Sequence, residues 1–266
     1  MKKKVLLTGI NGTVAQALKR QLSERYDITG ISVARMDSVI DRIGTLPEPT
    51  WRAQLQAYGQ QVMEQLTSAL HGVDAVAHLG WNTRDEHCGA GLDPLNIFVV
   101  DCVYRAAIAE KIPRIYMASS VHAYDFPRFY QQDVEPVKPF PDVRQDPFGV
   151  PPTSLYGVSK RWMEIAGQYY ANQLHDGQKI LVVRLGAVNG NGLPYRPGSR
   201  LWNSHQDLGG LLTAFIECEN APRFWVSFGV SNNHGGAFTQ PLFDPVNPYG
   251  FEPGGNAFEV DMPDRT

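Results

Sequence analysis

Short continuous apolar runs alternate along the chain with longer stretches in which apolar residues recur at helical spacing. The first run, Lys4 to Thr8, predicts a buried strand. Beyond Gly9 to Ala15 a periodic stretch reaches Tyr26, with Val14, Leu18 and Leu22 on one side. Asp27 to Val33 predicts a second strand. Pro47 and Pro49 punctuate a loop, and Thr50 is the expected N-cap of a helix running to about Leu70. Asp74 to Leu79 predicts the next strand. Pro94 opens a helix whose apolar set is Leu95, Phe98, Val99, Cys102 and Val103. Arg114 to Ser119 is again a strand. A helix is expected from Leu155 to Leu174, then Lys179 to Leu185, counted as the sixth strand. A helix from Leu208 to Glu219, a strand from Phe224 to Phe228 and a Pro- and Gly-rich tail from Pro241 close the chain.

Strand followed by helix at this spacing means parallel pairing, and right-handed crossovers then give an α/β, Rossmann-type doubly wound sheet. Residues 1–185 are expected to form that domain and residues 186–266 a small C-terminal substrate lobe packed on it. Residues 124–153 form an aperiodic, proline-rich insertion. Phe126, Phe129, Tyr130, Phe140 and Phe148 make it too apolar for a free linker, so it is expected to pack across the site or at an interface.

Composition narrows the function classes. With 266 residues, 43% of them apolar, the chain has ample material for a core. A net charge of −3 argues against a nucleic-acid surface or a polybasic membrane patch. Lys2, Lys3 and Lys4 precede an apolar run that Thr8-Gly9 cuts short, so no secretory h-region is expected, and no stretch is long enough to span a membrane. The three cysteines, Cys88, Cys102 and Cys218, are scattered, which fits reduced packing residues in a cytoplasmic protein. Neither they nor His71, His78, His87 and His122 have metal-ligand spacing, and no metal is expected.

The chemistry concentrates at two places. Gly9-Ile10-Asn11-Gly12-Thr13-Val14-Ala15 follows a strand and opens a helix, the context of a dinucleotide-binding fingerprint. Gly9 permits the tight turn, Gly12 lets backbone approach a pyrophosphate, and Ala15 replaces the third glycine. Gly9, Asn11, Gly12, Thr13 and Val14 are therefore expected at the cofactor, with Leu79 and Gly80 after the third strand. No carboxylate stands at the end of the second strand; Arg35 there suits a 2′-phosphate, favouring NADP over NAD, although Arg35 also fits a solvated position. Further on, Tyr156-x-x-x-Lys160 puts a phenol and an ammonium one turn apart on a helix. Bringing a phenol from its usual pKa near 10 to about 7 needs about 4 kcal/mol, and a lysine charge nearby supplies part of it. Ser120, at a strand's carboxyl end, either donates to a substrate oxygen or serves as a local turn hydroxyl.

Thr8-Gly9-x-x-Gly12-x-x-Ala15, His78-Leu79-Gly80, Asn96, Ser119-Ser120 and Tyr156-x-x-x-Lys160 occur in the order found in extended short-chain dehydrogenase/reductases, the NAD-dependent epimerase/dehydratase branch, which the chain resembles over most of its length. More closely it resembles the uronate dehydrogenases, through Ala118 to His122, Leu155 to Lys160, Val183 to Gly186, Tyr195-Arg196 and Trp202 to Asp207. The resemblance implies that Tyr156 takes a proton from a substrate hydroxyl while a hydride passes to the nicotinamide. Lys160 holds the nicotinamide ribose and keeps the phenol's pKa down, and Ser120 bonds the reacting oxygen. Thr83, His122 and Arg196 are the implied substrate contacts, Arg196 binding a carboxylate. Dimers or larger assemblies, through the helices before and around Tyr156, are implied as well.

Three positions depart from the family pattern. Val121 and Ala187 replace an asparagine and a serine that touch sugar hydroxyls, and Val33 replaces the cofactor-selecting aspartate. With the arginine kept, the substrate is expected to be a small, uronate-like sugar acid or a related polar alcohol or carbonyl, unless Arg196 makes only a structural ion pair. An epimerase or dehydratase of nucleotide sugars and a non-catalytic NAD(P)-binding regulator are the competing functions. Trp162, Ile165, Tyr169 and Tyr170 on the Tyr156 helix fit intramolecular core or an oligomer seam.

Overall fold

Alternation of side chains along buried strands distributes the core of this protein to two sides of one sheet. The computed structural model describes residues 2–33, 47–83, 93–123, 135–139, 152 and 154–262. Its strands are β1 (Lys4–Thr8), β2 (Asp27–Ile31), β3 (Ala75–His78), β4 (Arg114–Ser120), β5 (Lys179–Leu185) and β6 (Phe224–Gly229). All neighbours pair in parallel, in the order β2-β1-β3-β4-β5-β6. The helices are α1 (Thr13–Leu22), α2 (Glu48–Leu70), α3 (Pro94–Ala109), α4 (Leu155–Ala171) and α5 (His205–Glu217), with a 3₁₀ turn over Val121–Ala123.

Leu6, Val76, Ile115, Met117, Ile180 and Val182 face one side, where they pack with α2, α3 and α4. Val5, Leu7, Ala75, Ala77, Leu181 and Val183 face the other, against α1 and α5. A parallel sheet covered on both faces needs continuous apolar strands, and the interior strands β3, β4 and β5 are such runs. The chain runs outward from β1 to β2, then returns to lay β3 beside β1 on its other side. That reversal is the switch point at which doubly wound sheets bind ligands, beyond the carboxyl ends of their strands.

Several boundaries differ from expectation. Edge strand β2 ends at Ile31 rather than Val33. Helix α2 starts at Glu48, so Thr50 lies in its first turn and is not the cap. Lys179–Leu185 is the fifth strand among the described residues, not the sixth. Helix α5 starts at His205, because the Ser204 hydroxyl accepts from the Asp207 amide and caps it earlier than Leu208. Strand β6 pairs along β5, and α5 packs on α1, so both belong to the sheet layers although residue 186 was the expected boundary of the lobe. Of the proline-rich insertion, residues 135–139 and Pro152 are described. Val137 exchanges backbone hydrogen bonds with Leu242 and Asp244, tying this piece to the C-terminal segment.

Candidate active site

The glycine turn after β1 is shaped by close backbone approach. Gly9 has φ of 66°, and a Cβ there would meet Gly80 backbone atoms at 2.5–2.6 Å. The turns after β1 and β3 therefore touch across the switch point. Helix α1 has Gly12 as its N-cap, with no side-chain cap and no acidic residue in its first turn. Its leading amides and the positive end of its dipole suit an anionic group. Beside this turn lies a cleft of about 450 Å³ whose walls include Gly9, Asn11, Gly12, Leu79, Gly80 and Thr83. Thr13 is exposed at the start of α1 and Val14 follows it, half-buried. The glycine cradle and the bare helix start fit the diphosphate of a dinucleotide. Val33 also lines the cleft, at the position where the family carries its aspartate. Arg35 lies outside the described residues.

Asn96 fixes the far wall. Its side chain accepts from the Asn82 amide and donates to the Asn82 carbonyl, both at 2.8 Å, while Asn82 Nδ2 donates to Asp93 at 2.7 Å. Asp93 is also the N-cap of α3, accepting from the Leu95 amide. Thr8 joins β1 to β3 in a similar way: its hydroxyl oxygen accepts from the Leu79 amide and lies 2.8 Å from His78 Nδ1. His78 is buried, and burial followed by the nearby Lys160 charge pushes its pKa down to about 3.

Strand β4 delivers Ser120 to its carboxyl end, and α4 lays Tyr156 over it. Ser120 Oγ accepts the His122 amide at 3.2 Å, and its hydroxyl stands on the Tyr156 side of the turn, where it opposes the rise in the phenol's pKa. The His122 ring meets the Tyr156 ring edge-on at 5.7 Å. Gly157 is what allows this: a Cβ there would fall 2.1 Å from the His122 carbonyl oxygen. The Ser154 hydroxyl starts α4 by accepting from the Gly157 amide. Ser120, His122 and Tyr156 are thus brought together as expected of one site.

Lys160 is buried one turn further along the same helix. Its Nζ donates to the Ala118 carbonyl at 2.7 Å and lies 5.8 Å from the Tyr156 ring centroid. Burial raises the pKa of Tyr156, and the Ser120 hydrogen bond opposes the rise. Burial also draws the Lys160 ammonium well below its ordinary value, the Glu164 carboxylate opposing. His122 is lowered by burial and is held as the neutral imidazole.

Under this group lies an ion pair that the sequence motifs did not disclose. Arg184 on β5 grips Glu164 on α4 through two hydrogen bonds, at 2.8 and 2.6 Å, with both side chains buried. Ser119 donates to the same carboxylate at 2.8 Å, and Arg184 reaches the Pro139 carbonyl of the insertion at 2.9 Å. One carboxylate therefore joins the strand of Ser120 to the helix of Tyr156. A charge inside the apolar run Ile180 to Leu185, and a glutamate one turn beyond Lys160, were the available signals.

Substrate contacts are placed unevenly. Thr83 lines the cleft. Arg196 is exposed on the loop after β5, while Arg200 of the same segment is buried, 4.3 Å from the Phe238 ring centroid. Val121 turns into an apolar cluster with Phe228, Val230, Leu242 and Phe243. Ala187 bonds through its backbone to Leu201 and Asn203. Among the described residues no group of three or more His, Cys, Asp or Glu is placed to hold a metal.

The model of the NAD dependent epimerase/dehydratase family matches residues 5–218. The chain belongs to this family. Among individual relatives, it is 28% identical over 240 residues to an NAD-dependent glucose-6-phosphate dehydrogenase of Haloferax volcanii, covering 88% of this chain and 87% of that one. Two solved structures share the fold: a mutated uronate dehydrogenase, with a TM-score of 0.66 at 18% identity over 97% of this chain and 83% of that one, and the glucuronic acid dehydrogenase of Chromohalobacter salexigens, with 0.65 at 19% over 97% and 86%.

Proposed function

We propose that the protein is an NAD(P)-dependent oxidoreductase that moves a hydride between a nicotinamide cofactor and a small sugar acid, uronate-like, or a related polar alcohol or carbonyl. The carrying observation is the convergence of Ser120, His122 and Tyr156 near the glycine-lined cleft, with Ser120 bonded to the His122 amide, the His122 ring edge-on to that of Tyr156, and Lys160 buried behind them. Tyr156 is the acid/base for the substrate oxygen, Ser120 orients that oxygen, and neutral His122 contacts the sugar from the 3₁₀ turn. Gly9, Asn11, Gly12, Thr13, Val14, Leu79 and Gly80 hold the dinucleotide, and Lys160 the nicotinamide ribose. A bound nicotinamide supplies the hydride chemistry. The named relatives, which act on glucose 6-phosphate, uronate and glucuronic acid, support a sugar as substrate.

The absence of a carboxylate at Val33, with Arg35 just beyond it, supports NADP as the preferred form, whereas the Haloferax relative is NAD-dependent. Thr83 and Arg196 complete the substrate contacts, on the loops after β3 and β5. The loops after β5 and β6 then form the substrate lobe. Helix α4 exposes Leu155, Val158, Ile165 and Tyr169 by 46%, 46%, 58% and 63%, a stripe spaced by three, seven and four residues as one helix face requires. Tyr170, by contrast, is core. This stripe supports a homo-oligomer seam around Tyr156. Cys102 and Cys218 are unpaired, and no described helix is long and apolar enough to cross a membrane, which accords with a cytoplasmic setting.

Incubating the protein with NAD+ or NADP+ and a panel of hexuronic acids, aldoses and sugar phosphates, and following absorbance of the reduced nicotinamide, tests the proposal. Turnover is expected on a sugar acid or close analogue, faster with NADP+. Tight cofactor binding without turnover on any of them would instead indicate a regulator.

A further inference from the structure

Trp81 follows Gly80 beyond the carboxyl end of β3, and its indole forms part of the cleft wall. The Lys160 ammonium sits 3.7 Å from the centroid of that ring. Among the described residues Nζ makes one hydrogen bond, to the Ala118 carbonyl, although the lysine is just 4% exposed. A buried ammonium is stable only when its surroundings replace the water it has lost. The face of an aromatic ring, and of indole above all, does this through its quadrupole. The indole is itself held in place, because Asn82, the next residue, is clamped to Asn96 and Asp93 at the start of α3.

We propose that Trp81 is a positioning residue of the acid–base pair, its indole face keeping Lys160 a buried cation beside Tyr156. The proposal rests on the assignment of Tyr156 and Lys160 given above. Among the described residues, the other groups around Lys160 leave the ring this part. On α4 these are Tyr156 and Glu164, the latter neutralised by Arg184 of β5 and bonded by Ser119 of β4. On β3 the group is His78, which stays neutral and brings no opposite charge. On α3 the Tyr104 hydroxyl is turned to the Met163 carbonyl. Loss of the ring face without admission of water therefore weakens the cation, and the amine loses its proton at lower pH. The phenol works while Lys160 is charged, so activity declines as pH rises through the lysine's apparent pKa. The alkaline limb of the pH–rate profile then reports on Trp81.

Leucine keeps the site apolar and removes the π face, whereas phenylalanine keeps a weaker one. Trp81→Leu is expected to move the alkaline limb down by about one pH unit, Trp81→Phe by less, with the acid limb in place. Trp81→Phe also covers the case of a leucine variant that does not fold. Limbs that superimpose on the wild type, or a lower rate at an unchanged profile, would overturn the proposal. A second readout needs neither cofactor nor turnover: the indole emission lost in Trp81→Phe is followed against pH in the wild type and in Lys160→Met. An emission change that disappears in Lys160→Met is expected; one that persists unaltered overturns the contact. If Tyr156→Phe kept its activity while this emission change behaved as expected, the fault would lie with the assigned base and not with Trp81.

Discussion

His78 carries a cost that only acid reveals. Its imidazole, 2.8 Å from the Thr8 hydroxyl, lies between β1 and β4, where burial and then the nearby Lys160 charge lower its pKa to about 3 from 6.5. As pH drops below 6.5 the unfolded chain binds a proton that the folded chain refuses. The stability this neutral imidazole contributes is complete above 6.5 and is lost as pH falls toward 3, at about 1.4 kcal/mol per pH unit. Denaturant unfolding of the wild type between about pH 6.5 and about 4 should show that slope, and His78→Gln should show it reduced by close to one proton's worth. Equal slopes in the two proteins would mean that His78 is protonated in place. The same environment governs the neighbouring site: burial raises the Tyr156 phenol and lowers the Lys160 ammonium, each opposed by one partner, Ser120 and Glu164.

Helix α4 is where local pattern and distant contacts meet. One face carries Tyr156, Lys160 and Glu164 in successive turns, and Glu164 is pinned from two strands by Ser119 and Arg184. Glu164→Gln leaves a guanidinium buried without its counter-charge and is expected to cost about 3–5 kcal/mol in thermal or denaturant unfolding. The paired replacement Glu164→Leu with Arg184→Met should recover most of that stability, because apolar groups of similar volume tolerate the site. A double variant no more stable than the single one would contradict this. The elements themselves were legible in the chain, since apolar runs and helical spacing are local properties; the glycine turn, β3, β4 and the Tyr156 helix follow from them. The ends were less so, as at Ser204, where a cap moved the start of α5, and at β2, an edge strand with little to bury. The turn of Lys160 toward Ala118 and Trp81 was not legible at all. It depends on which carbonyls and rings the crossovers bring together, and no spacing within one element encodes that.

Across the molecule, the sheet places its switch point, the cleft and the Ser120, His122 and Tyr156 group at one end, and residues 135–139 are held by Val137 to the C-terminal segment and by Pro139 to Arg184. The apolar stripe of α4 faces outward, at the outer side of the same helix that carries Tyr156. Ile165→Lys in that stripe is expected to lower the oligomeric state in sedimentation or light scattering; a wild type that is monomeric at all concentrations would exclude the seam. Activity tests the central claim more directly. With a sugar substrate found, the rate of hydride transfer is measured for the wild type and Tyr156→Phe, alongside cofactor affinity. The account predicts a rate lower by about 10²–10⁴-fold or more at nearly unchanged affinity. A Tyr156→Phe variant that keeps most of its rate would contradict it.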